Sequence, residues 1–399
     1  MASMNKKEIR VPTGADLLDM VVGGGQGFGY PVGRIINLVG DKSSGKTFLA
    51  CEIIAAAYYL FGKKLVWDYD DAESGFTFDT KELYGIEIMP KDESKRRKSK
   101  TVEEFYCNYR DFLEGLTEGQ MGIYIMDSLD GLSSEEIQTR GDQRYAKFKK
   151  GEKLEKGSYQ MASAKFLSQE FFKSVTDLTE KKNALLIIIS QTRDKINSTF
   201  PMQTRAGGRA LDFYAHTALW LSTITKVEKK GRAVSVVVKA LTKKSKTPRP
   251  FRSCVFTLIF DYGLDNVGSN LDFLFDLRGD DGKLKKAASS ILWAGDSCEE
   301  VTVKSLMVFL KEHGKEEEFK EDRKRKGGLT GKGPIRDWIL QIEELQAPFR
   351  DKFGLIMKRS ALIDWIEENG KQQELTEKVR AKWERIEEEI RTKRKKKYL

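Results

Sequence analysis

Apolar and polar positions follow two rhythms along the chain. Through roughly residue 280, short apolar runs alternate with longer stretches of helical periodicity, the pattern of an α/β domain. Arg34–Val39, Lys64–Asp68, Gly122–Met126 and Ala184–Ser190 are apolar on both faces, which predicts parallel strands covered by helices. Ala218–Thr223 reads as a fifth strand. Ala233–Leu241 and Cys254–Phe260 alternate more, as in Val234-Ser235-Val236, and predict an antiparallel extension at one edge of the sheet. Beyond residue 280 a Lys/Glu-rich helical pattern takes over. There, Ser305–Asp322 (SLMVFLKEHGKEEEFKED) and Ala361–Lys378 (ALIDWIEENGKQQELTEK) repeat Leu, an aromatic, a charged pair, Gly-Lys and a final apolar residue at the same spacings. They read as diverged copies of one helix–turn–helix unit. RKRKGGLTGKGP, Arg323–Pro334, reads as a flexible basic linker between them. The expected organisation is a short arm over 1–10, an α/β core over 11–280 and a helical basic domain over 281–399.

Composition narrows the partners. The 399 residues carry a net charge of +10, which suits a polyanion: nucleic acid or an anionic membrane surface serve equally well on this count. The basic tail Arg391–Lys397 is either a solvated helix end or an electrostatic aid to DNA binding. Cys51, Cys107, Cys254 and Cys298 form no CxxC pair and there are two histidines, which argues against zinc and for reduced thiols in a cytosolic protein. MASMNKKEIR has no apolar signal core and no apolar run approaches the ~20 residues that cross a bilayer. The expectation is a soluble protein of the cytoplasm, in a bacterial cell or a host cell, with no membrane partner.

The sharpest chemistry lies at Leu38–Thr47, LVGDKSSGKT. Gly40-x4-Gly45-Lys46-Thr47 fits the P-loop pattern, after an apolar strand and before a helix. Gly40, Asp41, Lys42, Ser43, Ser44, Gly45, Lys46, Thr47 and Phe48 would cradle a nucleotide, their backbone N–H groups converging on phosphate at a helix N-terminus. Lys46 would neutralise the β- and γ-phosphates and the Thr47 hydroxyl would ligate Mg²⁺. Ile123–Asp127 ends in Asp127, a carboxylate suited to hold the ion's water from the strand beside the P-loop strand. KLVWDYDDAE, Lys64–Glu73, ends another strand in Asp70, Asp71 and Glu73. Glu73 is either a surface acid or the base that deprotonates an attacking water.

Several further stretches resemble the RecA recombinase family. Val11–Gly40 is similar to that family's approach to its core, with T-G-x-x-x-L-D and G-R-I before the first strand, and SSGKT closes the P-loop. The resemblance covers roughly residues 9–280, with a weaker echo in the helical region. It implies a RecA-like P-loop ATPase core with a mostly parallel central sheet and a helical C-terminal domain, using ATP and Mg²⁺. The DAE at Asp71–Glu73 matches the family's catalytic glutamate, and Gln191, after the buried strand, matches its γ-phosphate sensor. KSKTPRPF, Lys244–Phe251, is similar to K-x-K-x-x-x-P-F, which implies that Lys244 and Lys246 reach the nucleotide of an adjacent subunit; without the resemblance it is a solvated basic hairpin.

Two DNA-binding loops follow from the same resemblance. The first falls at about 138–158, where QTRGDQRYAKFKKGEKLEKGS is either a disordered insertion or a DNA contact through Arg140, Arg144, Lys147 and Lys149, with Tyr145 and Phe148 to stack on bases. The second spans about 192–208 and ends at GGRALDFY. Arg193, Lys195 and Arg205 would meet phosphates, Phe200 and Met202 would wedge against bases, and Gly207–Gly208 would give a pliable return. Two departures stand out: ten residues leave little room for the N-terminal element that drives filament growth in the family, and Asp212 stands where a basic residue is common. A diverged member, of phage origin for instance, would carry both.

The expected activity is a DNA-dependent ATPase that binds single-stranded and double-stranded DNA and promotes pairing or strand exchange in recombination and repair. It would assemble as a filament or ring with nucleotide sites between subunits. A RecA-fold replicative helicase, or an accessory ATP-switched protein that loads a recombinase or anneals strands, are the alternatives.

Overall fold

A computed structural model describes residues 8–151, 161–194, 203–205, 208–285, 288, 291–293, 302–325 and 331–394. Contacts divide the chain into Met1–Asn266 and Val267–Leu399.

The first unit opens with β1, Arg10–Val11, which pairs antiparallel with β2, Tyr30–Pro31, around helix α1, Asp16–Gly23. β3, Arg34–Gly40, then enters the centre of the main sheet. Helix α2, Lys46–Phe61, follows and is apolar nearly all round because it lies between layers. β4, Leu65–Asp71, leads through α3, Thr80–Tyr84, to α4, Val102–Gly115. β5 is Met121–Asp127, and helix α5 covers Glu135–Lys149. Helices α6, Met161–Phe166, and α7, Phe172–Lys181, join through a π-turn at Leu167–Phe171. β6, Ala184–Asp194, is followed by β7, Gln203–Arg205, and α8, Gly208–Tyr214. A hairpin of β8, Thr217–Lys229, and β9, Arg232–Ser245, then β10, Ser253–Ile259, and β11, Gly263–Asp265, complete the unit.

The strand order is β11-β10-β9-β8-β3-β6-β5-β4. β8, β3, β6, β5 and β4 run parallel, and β9, β10 and β11 extend the sheet antiparallel, as the alternation beyond residue 233 predicts. β3, β5 and β6 are buried almost throughout because helices cover both faces. One face packs on Phe105, Tyr109, Phe171 and Phe172, each side chain contributing about 1.5–3 kcal/mol by leaving water. Asn37, fully buried in β3, donates to Ile188 O at 2.8 Å and Ser190 Oγ at 2.9 Å in β6. This polar tie fixes the level of β6 against the P-loop strand.

One expectation needs correction. Asp127 does not stand on the strand beside the P-loop strand: β6 lies between β5 and β3. β6 is the most apolar strand in the chain, so the sheet gives it the most covered place. The hairpin β8–β9 also runs well past the predicted Ala218–Thr223 and Ala233–Leu241, turning at Lys230 and Gly231, both with φ in the left-handed region. Its outer arms leave the layered part of the sheet and carry polar residues, so apolar pattern does not mark them.

In the second unit, α9, Asn266–Leu274, is held through Asp272 by Arg278 and Arg359, both at 2.6 Å. That buried triad is why the division falls ahead of the composition change near residue 280. β12, Ile291–Trp293, pairs with β13, Leu355–Met357. Between them α10, Val303–Glu312, α11, Glu316–Arg325, α12, Lys332–Ile339, and α13, Glu343–Phe353, close on their own core of Phe309, Phe319, Trp338 and Phe349. Helices α14, Arg359–Glu368, and α15, Gln372–Glu389, end the described fold. The two repeated segments turn alike. Lys315 N donates to Leu310 O at 2.8 Å and Lys371 N to Ile366 O at 2.9 Å, after glycines Gly314 and Gly370 with φ of 68° and 63°. Among the described residues no helix is long and apolar enough to cross a membrane.

Candidate functional site

The P-loop turn between β3 and α2 depends on two glycines. A Cβ on Gly40 would stand 2.4 Å from Ser44 Oγ and 2.6 Å from Leu221 O; one on Gly45, at φ 85°, would stand 2.2 Å from Leu258 Cδ1. The turn therefore packs tightly against the sheet and opens α2 with Lys46. That side chain is 8% exposed and folds back, Nζ donating to Gly40 O at 2.9 Å and Asp41 O at 2.7 Å. Burial pushes the ammonium's pKa down, while Asp127, Glu73, Asp41 and Asp130 pull it back up. One cation thus faces four carboxylates at the mouth of the turn. The buried Ser44 hydroxyl has no hydrogen-bond partner among the described residues.

β4 and β5 bring the acids to the same edge, with Asp71 level with Asp127. Although β6 intervenes, the Thr47 hydroxyl donates to Asp127 Oδ2 at 2.8 Å and Tyr69 Oη donates to the same oxygen at 2.6 Å. Burial raises the Asp127 pKa, and these two hydrogen bonds restrain the rise. Asp70 and Asp71 hold neighbouring chain and side-chain groups instead. Asp70 accepts from Ser99 N at 2.7 Å and Tyr124 Oη at 2.7 Å, and Asp71 accepts from Gly75 N and Phe76 N at 3.1 Å. The turn they shape leaves Glu73 facing the site, where it accepts from Ser128 Oγ and, at 2.8 Å, from Gln191 Nε2.

Gln191 sits at the level of Gly40 on the neighbouring strand. Its backbone N–H donates to Asp130 Oδ2 at 2.7 Å, and the adjacent Thr192 hydroxyl donates to Asp41 Oδ1. Sequence reasoning missed Tyr69 and Asp130; the latter had a signal in its position three residues after Asp127. It also missed a cleft of about 490 Å³ beside the P-loop, lined by Phe48, Phe78, Lys226, Val236, Leu258 and Phe260. Phe48 and Phe78 meet edge to face with ring centres 4.8 Å apart. Flat apolar walls next to a phosphate turn suit a nucleobase. Orphan hydroxyl, buried lysine, hydroxyl–carboxylate pair and apolar cleft together fit a nucleoside triphosphate with a divalent cation. Among the described residues no group of three or more His, Cys, Asp or Glu is arranged to hold a metal by itself, so phosphate and water would complete the ion's shell.

The segments read as DNA loops have more structure than their composition implies. The first is helical as far as Lys149: Ser134 caps α5, accepting from Ile137 N at 3.3 Å, and Glu103 accepts from Glu135 N at 3.1 Å. None of its residues is buried. Arg140 pairs with Glu136, and Arg144, Lys147 and Lys149 lie on the same helix. Tyr145 and Phe148 are 61% and 67% exposed, with Lys149 Nζ 4.8 Å above the Tyr145 ring. Residues 152–158 of that stretch lie outside the described residues.

In the second segment β6 continues to Asp194 and β7 folds back on it, Thr192 opposite Arg205 and Asp194 opposite Gln203. Arg193 is described as backbone within β6. Lys195, Phe200, Met202 and Gly207 lie outside the described residues, and Gly208 opens α8 at φ 55°. Arg205 does not face solvent: its side chain is 6% exposed and pairs with Asp212 of α8.

Lys244 and Lys246 are not brought to the P-loop of their own chain. Lys244 stands opposite Ala218, itself level with Asn37 midway along β3, and is separated from β3 by β8. Lys244 Nζ donates to Asp212 O, to Phe213 O at 3.1 Å and to Ala215 O at 2.6 Å, closing the end of α8. Burial, then the neighbouring Lys246, push its pKa down to about 8. Lys246 is exposed, and nearby His216 is pushed down to about 4 by burial and by Arg34, Lys246, Arg10 and Lys244.

Comparison with known proteins agrees with this geometry. The RecA N-terminal domain profile matches residues 150–265. Protein RecA of Colwellia psychrerythraea is 30% identical over 264 residues, 66% of this chain and 69% of the relative. Protein RecA of Chloroherpeton thalassium is 28% identical over 304 residues, 74% and 76% of the two chains. Protein RecA of Bifidobacterium longum is 29% identical over 325 residues, 80% and 74%.

Proposed function

The chain belongs to the RecA family, and from that premise we propose that it is an ATP-dependent recombinase that binds single-stranded DNA, pairs it with a homologous duplex and hydrolyses ATP in subunit-to-subunit sites. The observation that carries this reading is the Gln191–Glu73 hydrogen bond at 2.8 Å. It joins the residue suited to activate water with the residue that roots the second DNA-binding segment.

Lys46 would exchange Gly40 O and Asp41 O for the β- and γ-phosphates, a gain because anionic acceptors outweigh carbonyls for a buried ammonium. Thr47 and Asp127 would hold Mg²⁺, which when bound supplies charge neutralisation on the phosphates. Glu73 would take the proton of the attacking water. Gln191 would turn its amide from Glu73 towards the γ-phosphate, freeing the carboxylate and shifting the start of the second segment in one motion. Lys246 is exposed, and Lys244 would exchange its three carbonyl acceptors for a neighbour's phosphates, so that turnover would depend on assembly.

ATP turnover with and without single-stranded DNA, measured beside joint-molecule formation and fork unwinding, tests this. The expected outcome is stimulated turnover with joint molecules, both abolished by Lys46→Ala. Unwinding of forked duplex without joint molecules would overturn the reading in favour of a motor; turnover indifferent to DNA would point to an accessory binder.

A further inference from the structure

Arg205 and Asp212 close the base of the second DNA-binding segment. Arg205 Nη2 donates to Asp212 Oδ1, joining β7 to α8. The two partners differ in exposure: the arginine side chain is 6% exposed and the aspartate side chain 62%. A nearly buried guanidinium is thus satisfied by a carboxylate standing at the surface. Its other terminal nitrogen, Nη1, is buried with no hydrogen-bond partner among the described residues. A guanidinium presents a fork that matches two oxygens of one anion, and here one prong is idle. Opposite Arg205 across the ladder lies Thr192, the neighbour of Gln191.

Resting on the function proposed above, we propose that Asp212 is an intramolecular substitute for a nucleic-acid phosphate: it occupies Arg205 in the DNA-free protein and is displaced by a phosphodiester when single-stranded DNA binds. The exchange trades a one-pronged contact with an exposed carboxylate for a two-pronged contact with phosphate. It also sets a threshold, because DNA must compete with a tethered anion before it gains this cation. Since Arg205 is paired with Thr192, the exchange occurs one residue from the group suited to sense the nucleotide. DNA arrival is thereby registered at the ATP site through a β-ladder.

The test is a double-mutant cycle on the full chain, reading affinity for a fluorescent oligo-dT with a non-hydrolysable ATP analogue present. Asp212→Asn keeps the shape and removes the charge; it should tighten binding about fivefold, the scale of one partly exposed ion pair. Arg205→Gln should weaken binding, and Asp212→Asn added to Arg205→Gln should give no gain. Asp212→Glu, which keeps the anion, should stay near the parent affinity. Equal melting temperatures and equal affinity for the ATP analogue exclude a folding origin. A gain from Asp212→Asn that persists in the Arg205→Gln background would overturn the latch, since it would reflect only a lost repulsion; so would unchanged affinity in Asp212→Asn. If neither the parent nor Asp212→Asn binds oligo-dT, the DNA-binding reading itself falls.

Discussion

The P-loop region and the segments proposed to bind DNA face different problems, and their solutions differ. Around the P-loop the carboxylates, the lysine and the glutamine are fixed by buried neighbours: Gly40 and Gly45 allow near-contact of main chains, and Tyr69, Thr47, Ser128 and Asp130 hold the acids and the glutamine amide. In the segments proposed to bind DNA the cations sit on an unburied helix, α5, or in an ion pair that one exchange would break. A reaction centre gains from groups that need not reorganise. A surface that grips a long flexible polyanion gains from cations held in weak, replaceable pairs.

That contrast can be broken by mutation. Glu73→Gln touches the rigid end and should lower ATP turnover by about a hundredfold or more while oligo-dT affinity stays within about twofold. Steady-state hydrolysis beside fluorescence anisotropy checks it, and an active Glu73→Gln protein would remove Glu73 from the role of base. Tyr145→Ala with Phe148→Ala touches the adaptable end. It should weaken single-strand binding by about 1–3 kcal/mol for each base that loses a stacking partner, with ATP-analogue affinity unchanged; equal loss of both would show that α5 supports the fold instead.

A third effect, read in stability and not in activity, concerns the support beneath the rigid end. Glu52 of α2 accepts from Leu264 N at 3.3 Å, and burial raises its pKa to about 7 despite that hydrogen bond. A raised carboxyl pKa means stability that is full below about pH 4.5 and is lost as pH rises through about 7, a change on the order of 3 kcal/mol. Glu52→Gln should flatten the pH dependence of chemical denaturation across that window. A slope equal to the parent's would show that Glu52 titrates normally.

The fold was legible where burial on both sides imposes a simple rule. Arg34–Val39 and Ala184–Ser190 need apolar residues throughout, so their pattern announces a covered parallel sheet, and the P-loop is short enough to be read residue by residue. Pairings made across the chain were not legible. Nothing in the sequence near Phe78 or Phe260 tells that they face one cleft, since that depends on α2 and β10 meeting at Gly45. The polar composition of Gln138–Lys149 reads as loop because a helix with no buried face has no apolar stripe, yet its Ser134 cap and the Glu136–Arg140 pair support one. Arg205 reads as a free cation for a similar reason: its partner Asp212 lies seven residues on, a spacing that becomes contact only through the turn from β7 into α8.

Lys244 carries one more consequence. An ammonium has three protons to donate, and three carbonyls, those of Asp212, Phe213 and Ala215, receive them all. As it stands the residue is saturated, and no triphosphate, near or far, can be served by it without a vacancy first opening at the end of α8. Under the assembly proposed above, a solitary subunit would be self-quenched: the ammonium is stowed against its own main chain, and serving a neighbour would require the end of α8 to give it up.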